Sequence, residues 1–233
     1  MIDTFIIGFL LSLVITLFAY YKEALNTSGS FVAIITGTLM YGFGGWFAFT
    51  ALMLFFIPAS IVPFSDHENK GRSARQVLAK SFIALYFSTL YFFLDSAIWQ
   101  LFMIASLAGA AADTWSSLIG KRFGIEPRIL PTFKPVDKGT PGGVSLYGVL
   151  AALVVSFFFG LFYFTVHGSL VRILVIAGIG ILTALFDSLL NTLRHKQGVE
   201  KRIKRFYFFD SEFMNFLSNA LAMLVLALFI WFL

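Results

Sequence analysis

The run AIWQLFMIASLAGAAADTWSSLI, Ala97 to Ile119, contains a single ionisable side chain, Asp113, and is otherwise apolar or small. At about 1.5 Å per residue a helix of this length crosses a hydrocarbon core of about 30 Å. Lipid offers no partner to a backbone amide or carbonyl, and a helix satisfies them all within the segment. The small residues around Gly109 let a second helix approach closely. An acid at that depth is costly unless it is hydrated, paired or bound to a cation. The stretch therefore reads as a transmembrane helix with Asp113 as a functional candidate. If the helix instead breaks near Ala112, Asp113 becomes an N-cap.

Working outward, similar apolar runs extend over about Ile2 to Tyr20, Ser30 to Tyr41, Gly45 to Val62, Gln76 to Phe93, Val144 to Val166, Leu170 to Leu190 and Glu212 to Phe232. The expected fold is all-α, a polytopic transmembrane helical bundle of about eight helices in one membrane domain spanning residues 1–233. Seven would result if the second and third runs, joined through Gly42, Gly44 and Gly45, form one kinked helix; a re-entrant hairpin is the other alternative. The composition agrees: 59% hydrophobic, 12% charged and a mean hydropathy of +0.87 exclude a soluble globular domain. With no cysteine, disulfides and thiolate metal sites are excluded. The first run lacks a basic leader and a small-residue cleavage site, so it reads as a retained helix.

Of the 17 Lys and Arg residues, all but Arg172 fall on one face when eight spans are threaded through the bilayer. That bias places both termini on the non-cytoplasmic side and loops 63–75, 121–143 and 191–210 in the cytoplasm. Basic residues confined to such loops report orientation rather than nucleic-acid binding. The 30 phenylalanines are lipid-facing and packing bulk.

Five polar blocks gather on the basic face. Asp113, Ser116, Ser117 and Gly120 share one side of a helix. The loop PRILPTFKPVDKGTPGGVS, residues 127–145, brings Lys134 and Lys138 together with Gly139, Thr140, Gly142, Gly143 and Ser145 just before a helix. Convergent amides, a helix N-terminus and lysines suit a phosphate, although no Walker A ending is present. Turn composition and positive-inside charge explain the loop equally well. Asp187 shares a face with Asn191 and Arg194; on local grounds an Asp–Arg pair is the simpler reading, a divalent cation the alternative. Asp210 precedes the last helix as an N-cap or a ligand, whereas Asn215 and Asn219 have less structural reason to enter a membrane. Arg72 and Arg75 open the fourth expected helix, where snorkelling is the simpler local explanation. Asp113-Thr114 and Asp187-Ser188 echo one another, an echo best read as chance.

The blocks DTWSS at 113–117 and KPVDKGTPGGVSLYG at 134–148 resemble the membrane family that includes plant phytyl-phosphate kinase. Gly71-Arg72 with Gln76-Val-Leu-Ala79, Phe186-Asp-Ser-Leu-Leu190, and Asp210 with Asn215-Phe-Leu-Ser218 resemble further blocks of that family in the same order, covering most of the chain from Ser30 onward. Lys80, Ser117-Leu118 and Asn191 depart from the pattern, which has asparagine, a small residue with glutamate, and glycine there. The resemblance implies phosphorylation of a prenyl monophosphate to its diphosphate by a nucleoside triphosphate, CTP by similarity to phytol and dolichol kinases, with Mg²⁺. Under it Asp113, Asp187 and Lys138 are catalytic. Arg72, Lys134, Lys138, Gly139, Thr140, Gly142, Gly143, Ser145 and Asn215 bind phosphates, and Asp113, Asp187 and Asp210 hold the metal. The expected location is the plasma membrane, with membrane lipids as neighbours and the site facing the cytoplasm. The rival readings are a transporter or flippase for a phospholipid or small anion, and a lipid-phosphate cytidylyltransferase.

Overall fold

The computed structural model describes residues 2–61, 71–196 and 210–232, without the side chains of 195 and 196. Most of the expected loops 63–75 and 191–210 therefore lies outside the described residues. Among those described there are seven helices: α1 (Ile2–Tyr21), α2 (Thr27–Ile61), α3 (Ala74–Leu94), α4 (Ala97–Phe123), α5 (Leu146–His167), α6 (Leu170–Lys196) and α7 (Ser211–Trp231). Each is long and apolar enough to span a membrane. A small sheet of β1 (Arg128–Ile129), β2 (Lys134–Pro135) and β3 (Gly143–Val144) precedes α5.

The expected second and third helices are one element, α2, broken at a single residue. Gly45 has φ 64° and ψ −160°, a conformation essentially restricted to glycine. A straight helix would separate the ends of α2 by roughly 50 Å. Instead Tyr41 and Phe49 stack edge to face with ring centroids 5.6 Å apart. At the far ends, the guanidinium of Arg72 donates to Ala59 O while the Arg72 backbone bonds to Ala24 and Asn26. The two arms, 27–44 and 46–61, thus fold back on one another, and the seven helices contain all eight apolar runs.

Where the sequence reads as one continuous membrane domain, the contacts divide it into two compact units, 1–107 and 108–233, with α4 running through the boundary. In the first unit α1 runs antiparallel to the first arm of α2, with Gly8 against Thr38 and Tyr41 and Gly37 against Ser12. That arm meets α3 where Gly44 faces Ser88. In the second unit α5 and α6 form an antiparallel hairpin closed by Gly168.

Glycine facing a hydroxyl recurs at these crossings: Gly37 with Ser12, Gly44 with Ser88, Gly109 with Thr183, and Gly180 with Ser156. A methyl group on any of them would collide with the facing oxygen. Lipid tails are as apolar as leucine, so close backbone approach and dispersion hold such helices together in place of a hydrophobic drive. Both α4 and α6 extend past the ends expected from hydropathy, Ile119 and Leu190. In α4 the last turn carries Lys121 and Arg122, which complement the helix C-terminus. Because α4 is continuous through Asp113, the N-cap alternative for that residue is overturned.

Candidate functional site

The site builds up from the packing of α4, α5 and α6 in the second unit. Gly180 lies against Ala108 O, Gly109 against Thr183, and Ala112 against Ala184 and Ala152 in a common core. Residue numbers rise together on α4 and α6, so these helices run parallel. On α5 they fall, with Ala152 opposite Ala112 and Gly148 opposite Ser116. One turn beyond the contact of Gly109 with Thr183 come Asp113 and Asp187, at the same level of two adjoining parallel helices. Both are buried, at 6% and 8% exposure. The echo between Asp113-Thr114 and Asp187-Ser188 corresponds to matched places in this packing.

Asn191, one turn along α6, donates from Nδ2 to Asp187 Oδ2 at 2.8 Å and to Asp187 O at 3.0 Å. The amide therefore fixes one carboxylate oxygen, a partner the expected Asp–Arg reading does not include. On α4, Ser116 Oγ donates to Asp113 O at 3.0 Å. Ser116 and Gly120 face the start of α5, whereas Ser117 is exposed, so the expected polar strip divides between a helix contact and the surface.

The loop between α4 and α5 comes back onto this end of the unit. β1 pairs antiparallel with both β2 and β3, and Ile129 is opposite Lys134 on one side and Gly143 on the other. Two strand spacings, about 10 Å, thus separate Lys134 from Gly143. Gly142, at φ 82°, presses onto α6 so tightly that a Cβ would strike Thr192 and lie 2.7 Å from Ser188 O. Thr192 Oγ1 reaches Gly142 O at 3.5 Å and Ser188 O at 3.0 Å. Gly142 is therefore pinned within about one turn of Asp187. Lys134, Lys138 and Gly139 of the same loop are exposed.

Several residues of the expected site have structural partners of their own. The Gly143 amide donates to Thr140 O at 2.9 Å, and the Thr140 amide and hydroxyl both donate to Asp137 O, so these groups build turns. Ser145 is buried as the N-cap of α5, accepting from the Gly148 amide at 3.2 Å. Among the described residues no three His, Asp or Glu side chains form a metal-binding group. The expected trio is thus not assembled: Asp210 caps α7, its Oδ1 accepting from the Phe213 amide at 3.0 Å. Asn215 is half-buried one turn into α7, its carbonyl accepting from Ser218 Oγ. Two buried carboxylates at one level still fit Mg²⁺, which commonly takes one or two carboxylates and completes its shell with water and substrate phosphate.

Arg72 belongs to the first unit and acts as a clasp. Its amide donates to Ala24 O at 3.0 Å, its carbonyl accepts from Asn26 N at 3.2 Å, and its guanidinium caps the end of α2 at Ala59 O. Asn26 in turn accepts from Gly29 N at 2.9 Å, and Gln76 Oε1 accepts from Ser73 N at 3.0 Å to start α3. Burial pushes the Arg72 guanidinium down to about 10, still cationic at neutral pH.

The model of the integral membrane protein family DUF92 matches residues 10–223. The chain belongs to this family. Relatives include an uncharacterized membrane protein of Methanocaldococcus jannaschii, 31% identical over 83% of this chain and 84% of its own length. In Arabidopsis thaliana, the chloroplastic protein VTE6 is 33% identical over 58% of this chain and protein PGR 31% identical over 64%. The chain covers only 45% of VTE6 and 60% of PGR. No solved structure matches this DUF92 protein. The resemblance read from the motif blocks thus holds across the chain.

Proposed function

We propose that the protein phosphorylates a prenyl monophosphate of the phytyl or geranylgeranyl type, with CTP as donor by family resemblance. The observation that carries this reading is the level pairing of Asp113 and Asp187 beneath the Gly142-anchored loop that bears Lys134 and Lys138. Support also comes from the relative VTE6, the family's phytyl-phosphate kinase.

A terminal oxygen of the monophosphate attacks the γ-phosphorus, the bond from that phosphorus to the β–γ bridging oxygen breaks, and the nucleoside diphosphate leaves. Such a reaction asks a protein for positioning and charge neutralisation rather than covalent chemistry. Asp113 and Asp187 would hold Mg²⁺, which supplies positive charge to the phosphate oxygens. Lys134 and Lys138 would draw the triphosphate to the loop, and Lys138 would stabilise the charge that develops on transfer. Asn191 keeps the Asp187 carboxylate oriented. The prenyl tail would remain among apolar helix faces, and the site would face the cytoplasm of a plasma membrane, where nucleotide is present.

The test is single-turnover transfer from γ-labelled CTP and ATP to phytyl and geranylgeranyl phosphates by the purified chain in detergent. Labelled prenyl diphosphate, lost in Asp113→Asn and Asp187→Asn, is the expected result. In a parallel reaction with α-labelled CTP, label entering lipid with release of pyrophosphate would mark a cytidylyltransferase. No transfer from folded protein would turn the reading towards transport.

A further inference from the structure

A second polar cluster occupies the opposite end of the α5–α6 hairpin. Arg172 precedes Asp187 on α6 by roughly 22 Å of helix axis at 1.5 Å per residue. Instead of extending away from the bundle, its side chain turns inward, and Nη1 donates to the Tyr163 hydroxyl at 2.9 Å. The guanidinium carbon is 5.8 Å from the Tyr163 ring centroid. Tyr163 is fully buried, and its ring stacks on His167 with centroids 4.1 Å apart and an interplanar angle of 18°.

This arrangement fixes a cation without neutralising it. Among the described residues Arg172 meets no carboxylate, and Tyr163 is its only hydrogen-bond acceptor. A half-buried guanidinium with most of its fork unengaged is unfavourable, and planar donors of this kind match the oxygens of a phosphate. The surroundings indicate where such a phosphate comes from. Leu170, Val171 and Leu174 on the same turns of α6 are 68–70% exposed, an apolar rim suited to acyl chains.

We infer that Arg172, braced by Tyr163 and His167, binds the phosphate of an anionic phospholipid head group at the membrane surface opposite the Asp113 and Asp187 end. The acyl chains run along the exposed face of α6, and the phosphate accepts from the outward edge of the guanidinium. Because Tyr163 holds the side chain in one place, this is a defined lipid site and differs from the loose snorkelling of a basic residue at a helix end. It is independent of the proposed transfer reaction.

The test is native mass spectrometry and thermal unfolding of the purified full-length chain, titrated with phosphatidylglycerol or with inorganic phosphate. Wild type should retain phosphatidylglycerol and melt at a higher temperature in its presence. Arg172→Gln should weaken retention about tenfold, as expected for loss of a charge-assisted contact, and abolish the thermal shift. Arg172→Lys and Tyr163→Phe, which disturb packing less, should each weaken retention and so read the same contact if the glutamine variant fails to fold. Unchanged lipid affinity in all the folded variants would overturn the inference. An equal, Arg172-dependent shift with inorganic phosphate alone would assign the site to a soluble anion and overturn the lipid source.

Discussion

Two segments before helices, 71–73 ahead of α3 and 134–145 ahead of α5, combine glycine with basic side chains, yet they do different work. In the first, Arg72 engages protein through its amide, carbonyl and guanidinium, tying together the start and end of α2. In the second, Gly142 is pinned to α6 about one turn from Asp187, while Lys134, Lys138 and Gly139 of the same loop remain exposed. Composition cannot separate a clasp from a candidate phosphate loop. Tracing where each backbone and side-chain hydrogen bond goes separates them.

The largest test of that contrast lies between two glycines of one loop. Gly142 and Gly139 have nearly the same φ, 82° and 83°, but only Gly142 has atoms within reach of a Cβ. Gly142→Ala should displace the loop and lower single-turnover transfer about a hundredfold, the scale of a misplacement near 1 Å. Gly139→Ala should cost far less, and equal losses would break the comparison. Arg72→Gln should destabilise the protein by about 2 kcal/mol, measured by thermal or denaturant unfolding, because it removes a charged hydrogen-bond donor. Its folded fraction should keep the wild-type KM for CTP; a raised KM with unchanged stability would return Arg72 to the phosphate site. Lys138→Gln should raise the KM for CTP about fivefold, an effect that shrinks in high salt because the lysine is exposed. Ser145→Ala should cost about 1 kcal/mol as loss of an N-cap.

Hydropathy reveals the apolar runs because lipid imposes length and composition on every span. It does not reveal that α2 reverses at one residue, since Gly42, Gly44 and Gly45 look alike and only Gly45 takes the broken conformation. Asp113 and Asp187 stand out as ionisable residues inside helices. Their pairing depends on α4 and α6 packing side by side in register, which the contacts of Gly109 with Thr183 and Ala112 with Ala184 establish and chain order alone does not. Thr192 goes unnoticed in the sequence, although its spacing of one turn from Ser188 marks a hydroxyl-bearing face. Asp210 illustrates the converse: an aspartate ahead of a helix reads equally as ligand or cap, and the bond from the Phe213 amide shows the cap.

The central claim is that Asp113 and Asp187 act as one site. The direct measurement is Mn²⁺ affinity by electron paramagnetic resonance, with CTP present, for wild type, Asp113→Asn, Asp187→Asn and the double variant. If both carboxylates hold one ion, each single substitution should weaken binding nearly as much as the double. Effects that simply add, or a single variant that binds Mn²⁺ as wild type does, would contradict the account.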